Sequence, residues 1–168
     1  MSLDPKVFRN AVGRFATGVT VVTVQGASAR RGMTANAFSS LSLDPPLVLV
    51  CVDNQANILA LLREAGKFAV NFLAETQKDA SDWFAGKGGD AEDQFADLPH
   101  ETGENGAPLL KGSLGFVECE VHEELAGGDH TIFVGRVTRV EIEEDARLPL
   151  LFYGGAYRKI DMGAAYDE

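Results

Sequence analysis

The sequence predicts a mainly β fold: an antiparallel sheet closed, or nearly closed, into a barrel, with a few short helices. Three observations carry this. β-branched or continuously apolar runs recur at residues 19–24, 47–52, 68–73 and 131–142. Turn-forming residues between most of these runs give hairpin-like spacing. Only two or three short helical patterns intervene, without regular alternation, which disfavours a doubly wound parallel sheet. Closure is the arrangement that best manages the exposed edges of such a sheet.

Each element follows from local chemistry. Asp4 before Pro5 is a helix start, an N-cap followed by proline at the first helical position. Phe8, Ala11, Val12 and Phe15 continue it at helical spacing, and Gly18 ends the pattern. Residues 19–24 form a strand that pairs with the next segment across the polar turn at 25–30. Asp44-Pro45-Pro46 is a turn that cannot continue a ladder, and residues 47–52 read as a strand buried on both faces. Residues 57–65 read as a helix stopped by Gly66, and 68–73 as a strand. Residues 76–84 read as a helix with Thr76 and Asp79 as a variant capping box. The stretch 86–108 reads as a loop-rich surface excursion with one short helix near 91–95. Residues 112–125 alternate, with a phase slip near Val117 that suggests a β-bulge. Gly127-Gly128-Asp129 is a tight turn into the strand 131–142, and a last apolar run, 150–153, precedes Gly154-Gly155. Six or seven strands result.

The chain has 168 residues, 45% of them hydrophobic and 24% charged. That fits one domain over residues 1–168 with its core at about 7–160. A net charge of −10 argues against nucleic acid as a partner, but not against a small anionic cofactor, which needs only local N–H groups and one or two cations. Cys51 and Cys119 are expected as buried small hydrophobes rather than a disulfide or a metal pair. No apolar run has the length of a membrane span, and residues 1–6 lack the basic-then-apolar order of a signal peptide. A reducing, cytoplasmic setting and no membrane partner are expected.

Several chemistries lack their signatures. Gly86-Lys87-Gly88-Gly89 has the wrong spacing for a dinucleotide fingerprint, and there is no Walker sequence. His100, His122 and His130 are too scattered for metal-ligand spacing, so no metal is expected. No nucleophile elbow exists. Any catalysis is therefore expected to belong to an organic cofactor.

Four constellations remain. Residues 31–42 combine small and hydroxyl-bearing side chains between two apolar runs. They read either as a clamp on the heteroatom edge of a flat ring, through backbone groups with Thr34 and Asn36, or as an ordinary strand with hydroxyls facing water. Asp53-Asn54-Gln55-Ala56-Asn57, at a strand-to-helix junction, is either an anion site or simple capping. Gly128-Asp129-His130 is either a glycine turn or a place where His130 positions a nicotinamide. Tyr153-Gly154-Gly155-Ala156-Tyr157 suits either stacking on a ring or a turn.

In this order the pieces resemble the flavin reductase family of two-component monooxygenases. The resemblance rests on Phe15-Ala16-Thr17-Gly18-Val19-Thr20-Val21-Val22-Thr23, then Gly32-Met33-Thr34-Ala35-Asn36-Ala37-Phe38 with Ser40-Leu41-Ser42 and Pro45-Pro46-Leu47. It continues through Phe68-Ala69-Val70-Asn71, Gly128-Asp129-His130 and the 153–157 turn, spanning Val7 to Ile160. It implies an FMN-binding split β-barrel of Greek-key type that forms homodimers. It also implies hydride transfer from NADH or NADPH to FMN or FAD, with reduced flavin passed to a partner monooxygenase. By the same resemblance Gly32, Met33, Thr34, Ala35 and Asn36 hold the isoalloxazine and ribityl edge, with Ser39 and Ser40 beside the ring. Val52, Asp53, Asn54, Asn57 and Ile58 receive the phosphate, with Lys87 as an extra cation. His130, in the catalytic role, and Tyr153, Gly154, Gly155 and Tyr157 shape the nicotinamide side. Relatives carry Ser and Thr where this chain has Ala56 and Ile58, so Asn57 and backbone amides would replace those hydroxyls here. The same barrel also suits a non-enzymatic flavin electron carrier or a pyridoxamine-phosphate-oxidase-like enzyme.

Overall fold

The computed structural model describes residues 3–87, 91–144 and 147–162. Its elements are α1 (Pro5–Val12), β1 (Thr17–Gly18), β2 (Thr20–Gln25), β3 (Arg30–Ala35), β4 (Phe38–Leu43), β5 (Pro46–Asp53), α2 (Leu59–Ala65) and β6 (Lys67–Phe72). A 3-10 turn at Glu75–Gln77, α3 (Lys78–Asp82) and a π-type turn at Trp83–Lys87 follow. The chain ends with β7 (His100–Thr102), β8 (Pro108–Leu110), β9 (Gly115–Gly127), β10 (His130–Ile142), β11 (Leu151–Tyr153) and β12 (Ala156–Arg158).

One antiparallel sheet dominates, ordered β3-β2-β6-β9-β10-β5-β4. Its two outer strands, β3 and β4, are consecutive in the chain and joined only by Asn36 and Ala37. Three residue steps reach at most about 11 Å, so the sheet must curl until its edges meet. The Cys51 N–H donates to the Ala37 carbonyl at 3.0 Å beside this seam. The result is the expected mainly β split barrel, with seven strands in its wall. Val22, Val24, Val50, Val52, Phe68, Val70, Val117, Cys119 and Phe133 fill the interior, and Ile58, Leu59 and Leu62 at the start of α2 pack into the same core.

A second layer covers the outer face. Val19, Val21, Leu73, Phe84, Phe95, Leu110 and Leu150 form their own apolar cluster, which is why every residue of β2 but the last is buried. The 91–110 segment is therefore no mere surface excursion. Phe95 is fully buried in turns rather than in the expected short helix, and β7 pairs with β8 on the barrel wall. Glu118 anchors this layer from below. Its carboxylate is fully buried, accepts from the Asn105 N–H at 2.8 Å and pairs with Arg139 Nη1 at 3.0 Å. An enclosed carboxylate is tolerated only with such partners. Gly103 sits so close that a Cβ there would collide with Glu118.

Other expectations need correction. In the β9–β10 ladder the register shifts at His122 on β9 and at Thr138 on β10; the second shift lies opposite Glu118 and Cys119, so the irregularity beside Val117 belongs to the partner strand. Val117 and Cys119 face the core while Phe116 and Glu118 face the outer layer. The apparent phase slip is thus a strand buried on both faces. β5 shows the reverse: Val48, Val50 and Val52 are buried, but Leu47, Leu49 and Cys51 are only half-buried. Cys119 is buried as expected and its thiol is pushed up to about 12 by burial and by Glu118, whereas Cys51 sits on that half-open face. The 76–84 helix is broken into three short turns. Gln77 Oε1 accepts the Ala74 N–H at 3.1 Å in place of the Thr76–Asp79 box. α1 stops at Val12, and Phe15 beyond it is 77% exposed. Among the described residues no helix is long and apolar enough to cross a membrane, and no three His, Cys, Asp or Glu side chains cluster as metal ligands.

Candidate functional site

The site is built on the open edge of β3. In an antiparallel ladder the N–H groups of alternate residues point to the paired strand and away from it. β3 pairs with β2 on one side without a register shift. The Gly32 N–H points the other way, donating to Gln94 Oε1 at 2.9 Å. The same alternation aims the Thr34 N–H outward, and no described residue accepts it. The Thr34 hydroxyl donates to the Ser81 carbonyl at 2.6 Å, tying β3 to α3. Asn36 is exposed beyond the end of β3, and its amide has no partner among the described residues.

Two cavities adjoin this edge. The first, about 510 Å³, is lined by Arg31, Gly32, Met33, Ala56, Asn57 and Ile58 on one side and by residues 84–86 with Ala91, Glu92 and Gln94 on the other. Ile58 is only 2% exposed, so it offers backbone rather than side chain. The second, about 570 Å³, is lined by Val19, Thr34, Asn36, Lys78, Ala85, Lys87, Phe152, Gly155, Ala156 and Tyr157. Ala85 borders both.

Phe84 lines the first cavity. A Cβ on Gly32 would lie 2.5 Å from the Phe84 ring. Gly32 is thus required by packing, since interiors leave no slack for such an overlap, and its N–H is already taken by Gln94. Gly154 and Gly155 are likewise explained by their turn. Their φ values of 61° and 78° match a two-residue hairpin that needs positive φ at both positions.

The second cavity carries a charged wall. Asp82 bridges Lys78 at 2.7 Å and Lys87 at 2.5 Å, and accepts from the Tyr157 hydroxyl at 3.0 Å. Tyr157 also shares a hydrogen bond with the Ser81 hydroxyl at 2.8 Å. Hydrogen bonds from Lys78 and Lys87 hold the Asp82 carboxyl well below the usual carboxylate range, and Asp82 raises the Lys78 ammonium in turn. In the first cavity the Arg31 guanidinium bonds only the carbonyls of Glu92 (2.8 Å) and Arg30 (3.1 Å) among the described residues, so its charge is not neutralised there.

Gly32, Met33, Asn57 and Ile58 thus share the first cavity. Thr34, Asn36, Lys87, Gly155 and Tyr157 share the second. The other expected residues do not join them within one chain. Ala35 and Val52 face the barrel interior. Ser39 and Ser40 are exposed on β4, across the seam. Asp53 Oδ1 caps the Gln55 N–H at 2.8 Å. Tyr153 and Gly154 lie outside the lining, and the Gly154 N–H donates to Gly13. His130 opens on a separate recess with Asn54, Leu59, Arg63 and Glu124. There its Nδ1 meets Asp129 Oδ1 at 2.8 Å, an interaction that lowers the Asp129 carboxyl. Arg31, Lys78, Phe84 and Gln94 were missed as site residues. Arg31 opens the hydroxyl-rich run, but Phe84 and Gln94 reach β3 only through long-range contacts, and Lys78 only shares a cavity with it.

Residues 12–161 match the model of the flavin reductase-like domain. A probable flavin reductase of Rhizobium meliloti is 45% identical over 82% of this chain, which spans only 44% of that relative's length. The reductase component of 4-hydroxyphenylacetate 3-monooxygenase from Thermus thermophilus is 40% identical, covering 92% of this chain and 96% of its own. The structure of the NADH:FAD oxidoreductase of Streptomyces globisporus C-1027 superposes with a TM-score of 0.89 at 43% identity, over 96% of this chain and 97% of that one. The same protein in complex with NAD and FAD fragments gives 0.89 and 43%, over 98% and 99%. With nearly its whole length matched in both sequence and fold, the chain belongs to the flavin reductase-like family.

Proposed function

We infer that this chain is a NAD(P)H-dependent flavin reductase whose flavin lies along the open edge of β3, and that it supplies reduced flavin to a separate monooxygenase. The observation that carries the placement is the outward Thr34 N–H. It is a backbone donor that no described residue accepts, at the second cavity beside the Asn36 amide, which likewise has no partner among the described residues. Such fixed donors suit the polar edge of a reduced flavin, where negative charge develops. When bound, the flavin supplies the hydride acceptor at N5 and the reduced nicotinamide supplies the hydride from C4.

No side chain of this chain has to act as a base. Thr34 and Asn36 hold the ring's polar edge, and Phe84 and Tyr157 wall off water. The arrangement accelerates the reaction by holding two flat rings in contact. At the other end, Asn57, the backbone at Ile58 and the unneutralised Arg31 offer groups for a phosphate. Ala56 and Ile58 contribute no hydroxyl there, consistent with contact through backbone and Asn57.

FAD and NADH are the proposed pair, supported by the named substrates of the Streptomyces relative. A homodimer is also proposed. It is supported by apolar side chains left open on one chain, including Phe8, Val12, Phe15, Leu41 and Leu43. A role for His130, Ser39 or Ser40 at the flavin requires that second copy, because none of them reaches the groove of its own chain.

One assay tests the activity. Purified protein is mixed with FMN or FAD and NADH or NADPH, and absorbance is followed at the nicotinamide band. Rapid oxidation, fastest with NADH and FAD, is expected. A yellow protein without turnover would instead identify an electron carrier.

A further inference from the structure

We propose that Ser81 is a positioning residue for hydride transfer, holding the Tyr157 ring at a fixed spacing from the Thr34 edge of β3. The inference deepens the reductase reading above and rests on it.

Ser81 lies on α3 and is fully buried. Its two polar groups serve opposite walls of the second cavity. The carbonyl accepts the Thr34 hydroxyl at 2.6 Å, which fastens α3 to β3. The hydroxyl meets the Tyr157 hydroxyl at 2.8 Å, which fastens α3 to β12. One residue thus joins both walls, and Thr34 and Tyr157 both line the cavity. A helical serine more often turns its hydroxyl to water or to its own helix. Here burial removes water as a partner, and the hydroxyl reaches a residue 76 positions away.

The wall that carries Tyr157 needs this fastening. β12 pairs only with β11, and β11 pairs on its other side only with the two-residue β1. Phe152 meets the Tyr157 ring edge-on, with centroids 5.7 Å apart. That supports one flank of the ring and leaves the phenolic end to hydrogen bonds.

The hydrogens in the link run one way. Asp82 accepts the Tyr157 hydroxyl at 3.0 Å. Lys78 and Lys87 hold its carboxyl well below the usual carboxylate range, so it can only accept. The single phenolic hydrogen therefore goes to Asp82, and the phenolic oxygen accepts the Ser81 hydroxyl. Without that hydroxyl the ring hangs on Asp82 alone, a carboxylate shared with two exposed lysines. Its spacing from β3 is then no longer fixed. Transfer of a hydride between stacked rings is steeply sensitive to such spacing.

Ser81→Ala and Tyr157→Phe cut the link from its two ends, and neither removes the Ser81 carbonyl that holds Thr34. Both variants and their combination are made in the full chain, with folding checked by thermal melting. Flavin dissociation constants are measured by fluorescence quenching. Flavin reduction is followed in single turnovers with NADH and with NADH deuterated at C4.

Each single variant should reduce flavin about tenfold more slowly at saturating NADH, with flavin affinity within about twofold of the wild type. The slowing by deuterium should be at least as large as in the wild type, because the chemical step itself is retarded. The double variant should be no slower than the slower single, since both changes break one link. Single-variant rates within about twofold of the wild type overturn the proposal. A fall that vanishes at saturating NADH overturns it too, as does multiplication of the two effects in the double variant. If Ser81→Ala does not fold, the rate and isotope effect of Tyr157→Phe decide by the same limits. A wild type that oxidises no NADH fails the reductase reading itself, whereas turnover matched by the variants fails this proposal alone.

Discussion

The hydroxyl-rich run 31–42 reads as one segment, yet the fold splits it at Asn36-Ala37 into the two opposite edges of a seven-stranded sheet. The β3 half is roofed by α3, the π-type turn and the 91–99 turns. It binds them through Gly32, Thr34 and Arg30, and two cavities open along it. The β4 half carries Ser39 and Ser40 in the open and Ser42 half-buried, and among the described residues the Ser39 hydroxyl bonds only its neighbour's carbonyl. Similar side chains therefore have different worth. What makes a site of β3 is the second layer laid over it, which turns a solvent edge into a walled groove with a spare N–H.

Perturbing the two halves in parallel should expose this difference. Phe84→Ala, which empties the packed seat beside Gly32 beneath the roof, should cost about 3 kcal/mol in chemical denaturation, as for other buried aromatics. It should also loosen flavin binding. Gly32→Ala should cost about 1–3 kcal/mol by forcing the Phe84 ring aside. Its β4 counterpart Ser40→Ala should stay within about 0.5 kcal/mol, and equal costs for the two would undo the contrast. For activity, Asn36→Ala should lower kcat/KM about tenfold with little change in stability. Ser39→Ala should change it less than twofold in a form held monomeric by dilution.

A smaller effect concerns the roof's own fastening. Arg30 pairs with Asp93 at 2.6 Å, and this hydrogen bond, with a second from the Phe95 N–H, draws the Asp93 carboxyl down to about 2. A lowered carboxyl stabilises the fold fully above its unfolded value of about 3.9 and loses that contribution as pH falls toward its folded value. Melting temperature should therefore drop through this window in the wild type and drop less in Asp93→Asn. The pair is partly exposed, so the difference should be small.

The barrel wall was legible because its signal is local. Residues 19–24, 47–52, 68–73 and 131–142 declare themselves by β-branching and apolar runs. Gly154-Gly155 announces its turn because few other pairs accept two positive φ values. The roof was not legible, because its contacts are long-range. Gln94 reaches Gly32 across 62 positions and Ser81 reaches Thr34 across 47, and no window of sequence holds both partners. The same blindness hid that β9 is covered on both faces, and that Gly32, which lines the first cavity, is also the seat of Phe84. His130 was assigned by motif order, and a linear order carries no information about which recess a turn opens on.

The enclosed carboxylate of Glu118 has a consequence for how the molecule breathes. Lifting the 103–110 hairpin from the wall would strand that charge or pull Arg139 away with it, either of which is costly. The hairpin cannot then fray as surface loops do. The amide of Asn105, though close to the surface, should exchange its hydrogen only when the barrel itself comes apart. That segment should then open only together with the barrel wall beneath it.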